Sequence, residues 1–370
     1  SNGWYPLLSV SLRFLLGWIP FSIGDVLYTF AGLWLLYQGI VLMKSPRVQY
    51  PSFLFKIGVF GAGLYLMFYT FWGLNYYRIP IKEKWQLQGE YTFEELLHIT
   101  EKLIVESNRM QLQITQDSQV MVVNPYTNRQ IFNMAIVGYD SLKELHPDLA
   151  FRQYSSKKSL YSLPLTYMGF GGYLNPFTNE AQVNSLLPLY NFPTTTCHEM
   201  AHQLGIAPES EANLIGHLAS VHHSDKYFKY SGYTYALRYC LSEIQHVNEK
   251  KYQELEQKIH LGILKNFAQT EALWRQYESP IEMVSKKIYG NYLEANQQKG
   301  GMKTYHAFVG LMIQYYKIHE MIDASSTKLL YANASSIYGH RRHFLHRSVD
   351  NNIVKLRLYA SCIQQQTFRC

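Results

Sequence analysis

The first 78 residues are patterned differently from the rest of the chain. Gly24 to Met43 (GDVLYTFAGLWLLYQGIVLM) is apolar on every face, with its one charge, Asp25, at the edge. Phe53 to Leu74 (FLFKIGVFGAGLYLMFYTFWGL) carries one charge, Lys56, near its start. Runs of about 20 such residues match the roughly 30 Å of bilayer hydrocarbon, and neither has the polar stripe of a surface helix. Trp34, Tyr37, Tyr69, Trp72 and Tyr76 suit the headgroup level. The pattern predicts a membrane region, residues 1–78, with two transmembrane helices at about 24–43 and 53–74 and a lipid bilayer as partner. Leu7 to Pro20, which carries Arg13, reads as an interfacial helix or the tail of an earlier span.

Residues 79–319 read as a globular α+β domain, mostly helical. Thr92 to Arg109 has helical periodicity, with Thr92 as N-cap and Glu95 as its capping-box partner. Gly169 to Asn184 (GFGGYLNPFTNEAQVN) is rich in Gly and Asn and then turns extended, and Tyr190 to Thr196 leads into a helix. Further helices are expected over Tyr233 to Phe267, Ile281 to Gln297 and Tyr305 to His319. Residues 320–370, which include GHRRHFLHR, show no pattern and form a tail of unassigned role.

Composition agrees with a chain that is partly out of water: charged residues make up only 16%, against about a quarter for a soluble domain. The net charge of +7 is spread out. It favours anionic lipid as a partner, and no nucleic acid is expected. The four cysteines, Cys197, Cys240, Cys362 and Cys370, form no CxxC pair. They suggest neither a thiolate metal knuckle nor a disulfide framework. The chain begins at Ser1, as a processed or truncated product would. Lys44, Arg47 and Lys56 around the short loop balance Arg78, Lys82 and Lys84 beyond the second span. The reading adopted puts the loop in the cytoplasm and the large domain outside.

The chemistry concentrates at His198-Glu199-Met200-Ala201-His202. Residues i and i+4 share a helix face, so both imidazoles reach one tetrahedral ion at about 2.0–2.1 Å. Glu199 then leans towards the open fourth position, where it can take a proton from water. Such a five-residue motif arises by chance in roughly two of a hundred chains like this one, so its context matters. Gly205 ends the helix and Pro208 opens a second, Glu209-Ser210-Glu211-Ala212-Asn213. Glu209 is the expected third ligand, Glu211 the alternative, and Asn213 a support for a ligand. Acidic residues also suit a helix N-terminus for its dipole alone.

HExxH followed by a Glu-x-x-Ala-Asn helix resembles the gluzincin metallopeptidases, and that resemblance favours Glu209. The interval from His202 to Glu209 is shorter than in many of them. A wider likeness covers the chain to about residue 319. IPFSIGDVLY (Ile19 to Tyr28), FWGLNYYR (Phe71 to Arg78), GYLNPFTNEAQVN (Gly172 to Asn184), CHEMAHQLGIAPESEANL (Cys197 to Leu214), YSGYTYALRYC (Tyr230 to Cys240) and NYLEANQQKGGMKTY (Asn291 to Tyr305) resemble a bacterial membrane-anchored family catalogued as domain of unknown function 3810. The resemblance implies a zincin-like zinc metallopeptidase domain tethered by N-terminal membrane helices. It also implies one more span before Ser1, and therefore a multi-pass protein of the bacterial cell membrane with its domain on the external, periplasmic side.

Three lesser features complete the reading. Gln182, Val183 and Asn184 are a candidate edge strand for an extended peptide. Tyr230, Tyr233, Tyr292 and Tyr305 are candidate oxyanion stabilisers among 31 tyrosines. His217, His222 and His223 are read as structural or surface histidines. The expected function is a zinc-dependent (Zn2+) peptidase acting on a peptide or protein substrate, with oligomeric state left open. The alternatives are a catalytically silent zinc protein that binds a partner or cell-envelope component, and a membrane scaffold without metal.

Overall fold

The computed structural model describes residues 3–44, 50–87, 89–296 and 307–319. The chain divides into a unit of residues 1–315 and a second of 316–370. The tail, and Tyr305 with it, lies outside the described residues, apart from the helical residues 316–319.

The first unit is predominantly helical. Helix α1 (Trp4–Leu16) precedes α2 (Ile23–Lys44) and α3 (Tyr50–Phe71), and a 3₁₀ turn (Gly73–Tyr77) follows. Helices α2 and α3 are long and apolar enough to cross a membrane, and the apolar window of each is unburied. A short α4 (Ile81–Lys84) leads to α5 (Phe93–Thr115), whose capping box joins Thr92 and Glu95 as the sequence predicts. Helix α6 (Asn128–Leu145) was not anticipated; it opens with a second capping box, Thr127 with Gln130. Strand β1 (Ser156–Lys158), α7 (Ser162–Tyr167), β2 (Gly172–Leu174) and β3 (Ala181–Val183) follow. Then come α8 (Phe192–Gln203) and α9 (Glu209–Val221). The single helix expected over Tyr233 to Phe267 is instead three: α10 (Lys226–Val247), α11 (Glu249–Glu256) and α12 (Leu261–Gln276). Asn248 divides α10 from α11, where its side chain caps the N-terminus of α11. Helix α13 (Pro280–Ala295) closes the series, and residues 307–315 are again helical.

The sheet has the order β1-β3-β2, with β1 parallel and β2 antiparallel to β3. Helix α8 packs on this sheet and against α9, which in turn meets α6 and α10. Close approach at α8–α9 depends on Gly216. A Cβ there would sit 2.9 Å from the His198 amide nitrogen and 3.0 Å from its Cα. Glycine inside a helix costs about 1 kcal/mol against alanine, and here it lets α9 lie on the backbone of the helix that carries the histidines.

Buried charges wire the N-terminal helices to the sheet. Lys157 on β1 donates to the carbonyls of Leu16 (3.2 Å), Gly17 (3.1 Å) and Ile19 at the end of α1. Glu180 accepts from the amides of Gly24 (2.7 Å) and Ile23 (3.3 Å) at the start of α2. Each charge thus meets the end of the helix dipole that suits it. Asp25 accepts from Leu160 N (2.6 Å), Ser159 Oγ (3.0 Å) and Tyr173 Oη. Arg13, in the segment read as an interfacial helix or the tail of an earlier span, is buried and donates to Asn179 Oδ1 (2.7 Å) and the Gln203 carbonyl (2.8 Å). These contacts cross residue 78, the expected boundary of the membrane region.

The packing at Gly216 yields a test. Gly216→Ala should lower the melting temperature in detergent despite its better helix propensity, and Gly216→Val should cost about 1–3 kcal/mol through overpacking. Unchanged melting of both variants would show that α8 and α9 do not meet there.

Candidate metal centre

Helix α8 starts with Pro193 in its first turn and ends where Gly205 takes φ +83°. The free carbonyls at that end are capped from the membrane side: Arg78 Nη1 donates to Leu204 O (2.9 Å) and Gly205 O (3.3 Å). Five residues later α9 begins, and its first residue, Glu209, faces back onto α8. Glu209 Oε2 lies 3.3 Å from His198 Nε2 and 3.8 Å from His202 Nε2. The three donor atoms fall within 4.8 Å of one another. Ligands 2.0–2.1 Å from a tetrahedral ion stand about 3.3 Å apart; the Glu209–His198 pair has that spacing, the other spacings are wider, and the donor set is one that could hold a metal.

The surroundings fit too. His202 shares a 2.7 Å hydrogen bond between Nδ1 and the Ile206 carbonyl, which leaves Nε2 for an ion. His198 Nδ1 and Glu199 Oε2 are buried without a hydrogen-bond partner. Burial pushes the Glu199 carboxyl up to about 7, even though both imidazoles pull it down. Burial would also lower the His202 imidazole, but the Glu209 carboxylate outweighs this and raises it to about 9. Burial raises Glu209 in turn, and the two imidazoles more than offset that, holding it well below the usual carboxylate range. The cluster sets two acids against two bases, each ligand side chain being only partly open to solvent.

Glu211, the alternative ligand, points elsewhere. Its carboxylate accepts from the amides of Ile81 (2.9 Å) and Lys82 (3.1 Å), and so caps α4. Asn213 accepts from Tyr235 Oη (2.7 Å) on α10. The expectation of an edge strand at Gln182 to Asn184 needs correction. β3 is the central strand, buried at Gln182, Val183 and Asn184, with β1 on one side and β2 on the other. The Gln182 amide serves Ser22 Oγ (2.6 Å) and the Asn184 amide serves Thr166 Oγ1 (2.8 Å).

The sheet edge beside the cluster is β2. Asn184 N donates to Gly171 O and Asn175 N to Glu180 O, both at 2.9 Å. Antiparallel pairing alternates, so Gly171, Tyr173 and Asn175 face β3 while the backbone groups of Gly172 and Leu174 face outward. Gly172 also touches the acid: a Cβ there would lie 2.5 Å from Glu199 Oε1. The run GFGG carried that signal in the sequence, as a place where backbone comes close to another group.

The tyrosines sort by position. Tyr230 is fully buried and donates to Asn266 Oδ1 (2.8 Å) in the core. Tyr233 lies on α10 with Glu106 and Arg109 of α5 as its charged neighbours, away from the cluster. Tyr292 comes closer, with its hydroxyl 3.1 Å from that of Tyr76. The tyrosine at the cluster is one the sequence did not single out: Tyr289 Oη donates to Glu209 Oε1 (2.5 Å) and its ring stacks on Tyr292. His217 is core, its Nδ1 3.0 Å from the Gly232 carbonyl. Trp72, one residue beyond α3, lies edge-on to His202 with centroids 6.1 Å apart.

These features describe a mostly helical protein with two helices long and apolar enough to cross a membrane and a His-His-Glu cluster that could hold a metal. The family described as Protein of unknown function (DUF3810) matches residues 1–313, and the chain belongs to that family. No curated protein and no solved structure matches it.

The two glutamates of α9 are separable by experiment. Glu209→Gln should weaken metal binding by an order of magnitude or more, because a neutral amide is a poor ligand. Glu211→Gln should leave metal affinity unchanged while lowering stability by about 1–3 kcal/mol through the lost cap. Metal titration beside thermal unfolding reads both, and the reverse pattern would move the ligand to Glu211.

Proposed function

We propose that the chain is a membrane-anchored zinc metallopeptidase of gluzincin-like type, with His198, His202 and Glu209 as ligands and Glu199 as general base. The observation that carries the reading is the convergence of those three donors beside a buried, unpartnered carboxylate. A closed structural zinc site has no use for that carboxylate and generally completes itself with a fourth protein ligand. A bound zinc ion supplies Lewis acidity, which polarises a carbonyl and acidifies water. The protein's own groups do the rest. Glu199 accepts the proton of the attacking water through Oε2 and delivers it to the leaving amine. Tyr289 holds Glu209 through its other oxygen. An extended peptide pairs with the outward groups of Gly172 and Leu174 on β2, which puts its scissile bond beside Glu199. The same reading has α2 and α3 spanning a bacterial cell membrane, with the catalytic domain on the external face.

Purified protein should then hold about one zinc per chain, and His202→Ala should lose it. Glu199→Gln should keep the zinc and the fold but lower peptide hydrolysis by roughly 10²–10⁴-fold, the usual worth of a general base. Peptide-library digestion with elemental analysis reads both. Cleavage that survives Glu199→Gln would leave the zinc-binding interaction protein as the better account.

A further inference from the structure

Helix α13 has two faces of different character. One side carries Tyr289, which holds Glu209, and the buried Leu293. Another presents Ile281, Val284 and Ile288 at spacings of three and four, each more than half exposed. An apolar row of this kind is costly in water and marks a surface that something covers.

Its two ends say what covers it. Near the C-terminus, Tyr292 meets Phe68 edge-on (6.1 Å) and Asn296 accepts from Tyr69 Oη (3.0 Å). Phe68 and Tyr69 lie inside the last turn of α3, not beyond it. Before the N-terminus, Ser279 Oγ bonds the carbonyl of Tyr167 on α7 (3.3 Å). The residues just before α7 reach α2: Leu160 N bonds Asp25, and Tyr161 Oη lies 2.6 Å from Thr29 Oγ1. Asp25 and Thr29 lie inside the first two turns of α2. Helix α13 therefore meets α3 directly at one end and is linked to α2 through α7 at the other. Leu160 and Leu163 add exposed apolar surface at the α2 end.

We infer that α13 is an interfacial helix, with its Ile281–Val284–Ile288 face seated in the lipid of the bilayer that α2 and α3 span. The occupant is a lipid surface because the face continues one that two membrane helices already present. Exposed Lys287 beside the row suits anionic headgroups. The inference rests on the reading of α2 and α3 as spans. Its consequence for function is one of placement. The helix that holds Glu209 is itself held by the membrane, so the metal centre sits at headgroup level. The polypeptide that reaches Glu199 is then one presented at the membrane surface.

The test uses the full chain with Cys362 and Cys370 replaced by Ser, in nanodiscs of phosphatidylethanolamine and phosphatidylglycerol. An environment-sensitive fluorophore is attached through Val284→Cys or Ile288→Cys, and quenching by lipid with a nitroxide near the carbonyl is measured. Phe55→Cys on α3 reports the span, and Lys250→Cys on α11 reports water. Both α13 labels should be quenched strongly, as at Phe55, with little effect at Lys250. Quenching at Val284 and Ile288 no greater than at Lys250, with Phe55 still quenched, overturns the inference and leaves the spans intact. Loss of quenching at Phe55 as well refutes the spans, and the inference with them. Labels shielded from aqueous iodide but untouched by lipid nitroxide would mean that protein covers the face, which also overturns it.

Discussion

The metal centre depends on a chain reversal of five residues, Leu204 to Pro208, between α8 and α9. Helix geometry sets two histidines one turn apart without further help. The third ligand comes into range only if α9 returns at once across the face that carries them. Three local conditions make that possible. Gly205 adopts a left-handed backbone that other residues resist, and the Arg78 guanidinium occupies the space where a Cβ would project. Arg78 satisfies the carbonyls that the end of α8 leaves free. Gly216 lets α9 come down onto the His198 backbone. Arg78 follows the 3₁₀ turn after α3, so the reversal depends on the N-terminal helices as well.

That dependence explains why so much buried charge lies between the two regions. A helix that stops inside a protein leaves amides or carbonyls unpaired, and an unpaired buried polar group costs about 1–3 kcal/mol. Here α1 stops and α2 starts against the sheet, and Lys157 and Glu180 meet those two ends. A buried charge is tolerable when several hydrogen bonds replace its water. Lys157 donates to three carbonyls, and Glu180 accepts from two amides and the Thr178 hydroxyl. Helices α1 and α2 are therefore fixed against the sheet on which α8 packs.

What could be read from the sequence was what short-range periodicity encodes. The two apolar helices, the Thr92–Glu95 capping box, the paired histidines and the Gly205 stop each depend on residues within a few positions of one another. What could not be read depends on distant partners. The sequence favours Glu209 but leaves Glu211 open, both being acidic at one helix N-terminus; Ile81 and Lys82, some 130 residues earlier, claim the second. Strand β3 looked like an edge because β1 and β2 are only three residues long and carry little pattern of their own. Tyr289 was indistinguishable among 31 tyrosines, since its role comes from the packing of α13 over α9. Tyr230, which looked equally eligible, is spent on the core hydrogen bond to Asn266.

The charge balance of the cluster shows how it could take up a cation. Without one, two carboxylates and two imidazoles share a buried space, and the balance is kept by protons: His202 is raised to about 9 and Glu199 to about 7. A dication bound at the imidazole nitrogens carries equivalent charge and needs both histidines neutral, so binding releases protons. The same positive charge also favours ionised Glu199 beside it. A carboxyl that burial alone would keep protonated near neutrality would thereby become a base, with the Gly172 backbone packed against it. The arrangement thus couples uptake of a metal to the protonation state of Glu199, through groups only a few ångströms apart.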